Sequence, residues 1–252
     1  MHDPSRDPVW QDEVTELLQP YTSRTVRLHV TLGKATVPDL LLKDAPMLEH
    51  LTLKSNLPVA PRITVVQPEP RLRSLTLSGI MLSVGMLSAF GSCWTHLTRL
   101  RVRLGNSLLG RDIKGPVVLT LLAPRPHLQD FAFFIADMPP DITVTYAARA
   151  LTHSNLNSLD VTVLRGTGFL LAALTLPVLR HLVIRNSTMT SITWRQNEFR
   201  GFVTRSRCPL ETLKFQGGRA LSKEDPTEYV ALIPILRHVE VQELEVGSEV
   251  GV

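Results

Sequence analysis

The chain has 252 residues, 44% hydrophobic and 20% charged, with 27 basic against 23 acidic side chains and a formal net charge of +4. This is ordinary globular material with enough apolar content for a large core. No run of five or six like charges occurs, so nothing in the charge pattern demands nucleic acid or a membrane surface as partner.

In chain order, Asp7-Pro8 offers an N-cap and a first-turn proline, and Val9, Trp10, Val14, Leu17 and Leu18 follow at helical spacing. A capping helix is expected there, ending near Gln19-Pro20, with Trp10 as a core residue. A short apolar motif then recurs nine times. Its copies are Thr25-Val-Arg-Leu-His-Val30, Leu48-Glu-His-Leu-Thr-Leu53, Leu72-Arg-Ser-Leu-Thr-Leu77, Leu97-Thr-Arg-Leu-Arg-Val102 and Leu128-Gln-Asp-Phe-Ala-Phe133, then Leu156-Asn-Ser-Leu-Asp-Val161, Leu179-Arg-His-Leu-Val-Ile184, Leu210-Glu-Thr-Leu-Lys-Phe215 and Leu236-Arg-His-Val-Glu-Val241. Their starts lie 23 to 31 residues apart. Prolines 46, 70, 126, 177 and 234 stand two residues before a motif leucine, and Pro209 one before. Proline cannot donate to a ladder and stops a preceding helix, so these mark strand entrances.

Between the motifs, short helical stretches are expected at Pro38 to Lys43, Gly85 to Phe90, Pro116 to Ala123, Tyr146 to His153, Gly168 to Leu174, Trp194 to Ser206 and Thr227 to Ile233. The longer connection after Leu97 carries Gly105-Asn106 and Gly110 to Gly115 and reads as a surface excursion. The one after Leu179 carries Trp194, Phe199, Phe202 and Val203 at helical spacing and reads as a longer helix. Val239 to Val246 alternates apolar and acidic residues and would leave an open edge, which implies a truncated C-terminus or a gene fragment.

The motif and its period are those of leucine-rich repeats of the L-x-x-L-x-L kind. The expected fold is an α/β solenoid of about nine repeats, with a parallel β-sheet on the concave face and short helices on the convex face. One domain is expected over 1–252: a capping helix in 1–24, repeats in 25–246 and a tail in 247–252. Strand alternation turns the leucines inward and sends the third and fifth motif residues, and the residue after the motif, to the concave face. Partner-binding candidates there are Arg27, His50, Lys54, Arg99, Arg101, Arg103, Asp130, Phe134, Asp160, His181, Arg185 and Lys214. Arg99, Arg101 and Arg103 share one strand, with Asp130 and Asp160 on the next two predicted strands; the plainer reading is a solvated charged face partly neutralised by those aspartates, and the functional one is a site for phosphate or an acidic partner segment.

Catalysis and cofactors are not expected. No phosphate loop, G-x-S-x-G, H-E-x-x-H or G-x-G-x-x-G occurs, and Asp137 and Asp141 flank a Pro-Pro turn. His50, His181 and His238 share a motif position but stand on separate strands, and Cys93 with His96 lacks a second pair, so no metal site is expected. With two cysteines, Cys93 and Cys208, no signal-peptide pattern and no apolar run near the roughly 18 residues of a membrane span, a cytoplasmic or nuclear protein with reduced thiols is expected. The sequon at Asn186 then reads as chance.

The phrases Ala45-Pro-Met-Leu-Glu-His-Leu-Thr-Leu53, Pro70-Arg-Leu-Arg-Ser-Leu-Thr-Leu77, Leu176-Pro-Val-Leu-Arg-His-Leu-Val-Ile184 and Cys208-Pro-Leu-Glu-Thr-Leu-Lys-Phe215 resemble the repeat region of fungal F-box proteins of the mushroom type. The Val9 to Gln19 helix followed by Ser23-Arg24 is similar to the way those repeats open. The resemblance implies a non-catalytic interaction scaffold, the substrate-recognition region of a ubiquitin-ligase subunit, binding a protein on its concave face. Only 24 residues precede the first motif, too few for the F-box itself, so a Skp-type adaptor is expected as a partner only if an F-box is encoded upstream. A monomer is expected. The alternative is a nucleic-acid or phosphate-ligand binder acting through Arg27, Lys54 and the three arginines.

Overall fold

The computed structural model describes residues 24–32, 45–59, 71–80, 95–103, 119, 121–122, 125–135, 151–163, 168–186, 196–216 and 226–242. The capping helix with Trp10, the stretches at 38–43 and 85–90, the excursion after Leu97, Cys93, Asp137, Asp141 and the C-terminal tail lie outside them. By internal contact the chain divides into two compact units, Met1–Asp112 and Ile113–Val252.

The first unit holds four parallel strands: β1 (Arg27–Leu32), β2 (His50–Val59), β3 (Ser74–Ile80) and β4 (Arg99–Arg103). The second holds five more in one parallel set: β5 (Asp130–Ile135), β7 (Ser158–Val163), β9 (His181–Asn186), β10 (Thr212–Gln216) and β11 (His238–Gln242). Two short strands, β6 (Leu151–Thr152) and β8 (Leu174–Thr175), pair with each other apart from that set. The fold is therefore α/β with nine main parallel strands, each beginning at the third residue of its motif.

Register follows the motif without slippage. Arg27 pairs with His50, His50 with Ser74 and Ser74 with Arg99; in the second unit Asp130, Ser158, His181, Thr212 and His238 form one row. A one-residue slip would turn every leucine to the other face, so burial of one face pins this register. The buried face is the leucine face: Leu51, Leu53, Leu75, Leu77, Leu100, Phe131, Leu159, Leu182, Leu213 and Phe215 are all at most 1% exposed. Each such side chain contributes about 1.5–3 kcal/mol of transfer free energy.

The ladder also starts one residue ahead of seven of these strands. The carbonyl of Val26 accepts from the N–H of both Glu49 and His50 at 2.9 and 3.0 Å, and the carbonyls of Glu49, Arg73, Gln129, Asn157, Arg180 and Glu211 each take two N–H groups of the next motif in the same way. The prolines act slightly earlier than expected. Pro46, Pro126, Pro177 and Pro234 occupy the second position of β-turns that close on the motif leucine, as in Leu48 N–H to Ala45 C=O at 3.0 Å and Leu236 N–H to Ile233 C=O at 2.9 Å. Proline's fixed φ suits that turn position.

Three helices of the second unit have their bounds within the described residues, α1 (Gly168–Ala173), α2 (Gln196–Ser206) and α3 (Pro226–Leu232), and residues 119, 121 and 122 are helical too. In α2, Phe199, Phe202, Val203 and Ser206 form the buried stripe at i, i+3, i+4 and i+7. Phe199 and Phe215 each meet Tyr229 of α3 with ring centroids 5.6 Å apart. The stretch expected as helical from Tyr146 to His153 ends instead in β6, because Leu151 and Thr152 find strand partners in Leu174 and Thr175. Arg207 closes α2 in the left-handed region at φ 47°, its N–H donating to the carbonyl of Val203 at 2.8 Å. Glycine is the usual residue there.

A second positive φ falls at Gly79, at 69°. The β2–β3 register shifts between Lys54 and Val59, a bulge that brings the Ser55 carbonyl against Gly79; a Cβ on Gly79 would lie 1.9 Å from that oxygen. Only glycine fits this contact.

Candidate functional site

The residues opposite the leucines form the candidate site. Of the positions assigned to this face by alternation, Arg27, His29, Thr31, Lys54, Arg99, Arg103, His181 and His238 are exposed, and His50, Thr52, Ser74, Thr76, Ser78, Arg101, Asp130, Phe134, Asp160, Thr162, Arg185, Lys214 and Gln216 are half-buried. Ala132 is the exception, 7% exposed. All twelve candidate residues thus stand on the solvent-reached side of their strands.

The first unit's face reads in three rungs. His50, Ser74 and Arg99 are in register, then Thr52, Thr76 and Arg101, then Lys54, Ser78 and Arg103. Arg27, His29 and Thr31 of β1 extend the same rungs beyond β2. These twelve positions hold four arginines, one lysine, two histidines and five hydroxyl residues. They hold no carboxylate and no Phe, Tyr or Trp.

The second unit's face carries charges of both signs and pairs them within itself. Arg185 on β9 binds both carboxylate oxygens of Asp160 on β7 through Nη1, while its Nε donates to Gln216 Oε1 on β10 at 2.6 Å. Lys214 Nζ lies 2.6 Å from Glu240 Oε2, and His238 Nε2 lies 3.2 Å from the same oxygen. The Lys214 hydrogen bond foremost, and then the His238 bond, hold the Glu240 carboxyl below its ordinary range. Asp160, expected as a counter-charge for the arginine strand, is instead engaged by Arg185. The sequence placed Arg185, Lys214 and Asp160 on this face but did not couple them, nor single out Gln216 and Glu240. Adjacent rows of the register were the available signal.

Behind the strands, buried polar groups act in scaffolding. His153 Nε2 bonds the Arg125 carbonyl at 2.8 Å, and its Nδ1 faces the Asn155 N–H at 3.4 Å, an arrangement that suits the neutral ring protonated on Nε2. Burial lowers the Arg125 guanidinium to about 10, still charged at neutral pH. Arg205 Nη2 donates to the carbonyls of Leu171 and Leu174 at 2.6 and 2.8 Å, and its Nε reaches Leu174 O and Thr175 Oγ1 at 3.3 and 3.2 Å. It thereby reaches the carbonyl of Leu171 in the last turn of α1 and that of Leu174, the first residue of β8. Ser206 Oγ accepts from the Leu176 N–H at 3.1 Å.

Burial pushes the Cys208 thiol up to about 11, which leaves it protonated and unreactive at neutral pH. His181 and His238 flank Thr212 in one row, two strands apart, and no group of three potential metal-ligating side chains occurs among the described residues. Among those residues no helix is long and apolar enough to cross a membrane. No protein-family model, no curated protein and no solved structure matches the chain.

Proposed function

We propose that the chain is a leucine-rich repeat solenoid that binds a protein partner on the solvent-facing side of its strands, without catalysis. The observation that carries this reading is a set of parallel strands, in uninterrupted motif register, whose second side stays accessible and polar. Parallel sheets are ordinarily covered on both faces, so an accessible one is a surface reserved for contact. The repeat phrases that resemble fungal F-box proteins support the narrower reading, the substrate-recognition part of a ubiquitin-ligase subunit. In that case the adaptor would dock on an F-box encoded elsewhere in the gene product.

A photo-crosslinking amino acid placed at Thr76 or Thr162, on the face, tests the reading against one placed at Met47 or Ile235, in exposed turns. Crosslinking in an extract of the native cells is expected from the first pair. Crosslinks confined to the turn positions overturn it.

The five cations of the first unit's face favour a second reading, a phosphate or nucleic-acid ligand. Phosphate contacts release counterions on binding, so that reading requires affinity to fall steeply with added salt.

A further inference from the structure

We propose that the second unit's face grips a protein partner at Phe134 and Arg185, taking an apolar side chain on the ring and an uncharged carbonyl on the guanidinium. This rests on the protein-binding reading and names the chemistry of the contact.

Three residues in register make the site. Phe134 on β5 pairs with Thr162 on β7, and Thr162 with Arg185 on β9. All three are half-buried on the accessible side. The core already takes two rings from the same strand, Phe131 and Phe133, which stack on each other with centroids 4.7 Å apart. Phe134 is a third ring turned the other way, the one Phe, Tyr or Trp among the fifteen face positions of this unit.

Arg185 is held in place before any partner arrives. Its Nη1 binds both carboxylate oxygens of Asp160 and its Nε donates to Gln216 Oε1 at 2.6 Å, so strands on both sides fix the guanidinium. An arginine carries two further donors on Nη2. Here they have no acceptor among the described residues, and the side chain keeps 39% of its exposure. A long side chain already immobilised loses little more freedom on binding, and arginine and aromatic residues are the ones that most often dominate an interface.

Charge decides what the Nη2 donors take. Asp160 already compensates the guanidinium, so a second carboxylate brought to Nη2 would meet the repulsion of the first. A main-chain carbonyl accepts the same hydrogen bonds without that charge. Strands about 4.8 Å apart put Phe134 and Arg185 about 10 Å from each other, the length of roughly three extended residues. One short uncharged segment of a partner therefore spans both, with Thr162 beneath it.

A phage-displayed library of random peptides tests the proposal, depleted first on the Arg185→Lys chain and then selected on the native full chain. Lysine keeps the charge but loses the planar fork. The peptides retained are expected to carry a large apolar side chain and no carboxylate. By fluorescence anisotropy they should bind the Arg185→Lys chain about tenfold more weakly than the native one, and the Phe134→Ser chain likewise. Arg103→Ser, in the first unit, should leave their affinity unchanged. Asp160→Asn should move the preference toward an analogue with one neutral residue replaced by glutamate, since the guanidinium then lacks its counter-charge. Retention of acidic peptides, retention of none, or an unmoved preference in Asp160→Asn overturns the proposal. If a crosslinker at Thr76 captures a protein while one at Thr162 does not, this contact fails and the protein-binding reading stands.

Discussion

The two units put the same strand motif to different use on their accessible faces. In the second unit each cation of the face has an anionic or amide acceptor on an adjacent strand: Arg185 with Asp160 and Gln216, Lys214 with Glu240. In the first, five cations share twelve positions with no carboxylate among them. Three of these cations, Arg99, Arg101 and Arg103, stand at alternate positions of one strand. The lesson is that the same strand motif can carry side chains of both signs in one stretch and of one sign in the next.

The largest effect expected lies in the first unit. Gly79→Ala forces a Cβ onto the Ser55 carbonyl at a positive φ, and should destabilise that unit by about 3 kcal/mol or more. Hydrogen exchange should then show lost protection in β1 to β4 with β7 to β11 retained; equal loss in both would mean that the units do not unfold separately.

Next in size is a contrast between two exposed arginines. Arg205→Ala removes donors from the carbonyls of Leu171 and Leu174 and should cost about 2 kcal/mol, whereas Arg103→Ala, on the accessible side of β4, should change stability by about 0.5 kcal/mol or less. Urea midpoints of the two variants check this, and a larger loss for Arg103→Ala would show that this face serves folding.

Arg207→Gly should stabilise by about 0.5–1 kcal/mol, since glycine holds the left-handed conformation at no steric cost. A raised melting temperature is the readout. An unchanged or lowered one would show that the Arg207 side chain contributes more than its backbone costs.

The smallest effect concerns the paired face. Glu240 titrates lower in the folded chain than in the unfolded one, so it adds stability above its unfolded value, and that increment disappears as pH falls through the folded value. Glu240→Gln should therefore narrow the stability difference between neutral pH and pH 3 slightly, as measured by urea titration at both. An unaltered pH dependence would show that the Lys214 contact carries no weight.

The strands were readable in the sequence because the period-two alternation and the leucine positions repeat, and repetition averages out local ambiguity. All nine begin where the motif places them, and Phe199, Phe202 and Val203 announced α2. The bonds on the turn side were not readable. Arg205 reaches Leu171 across 34 residues and His153 reaches Arg125 across 28, contacts between single positions with no periodic trace. The same limit explains β6, where two residues became strand because a distant pair was available to meet them. On the accessible face, sequence assigned residues to rows correctly but not to partners, since choosing Arg185 rather than an earlier arginine for Asp160 depends on diagonal side-chain reach.

The doubled hydrogen bonds onto one carbonyl ahead of seven of the strands have a further consequence. They are made by main chain alone, and the residues that supply the carbonyl include Val26, Glu49, Arg73, Asn157 and Glu211, so alignment of one strand on the next owes nothing to what those side chains are. Copying the stretch from one motif leucine to the next would then insert a strand already in step with both neighbours. The length of the array becomes a quantity that can grow or shrink by whole units, with the contact surface changing in increments of three side chains at a time.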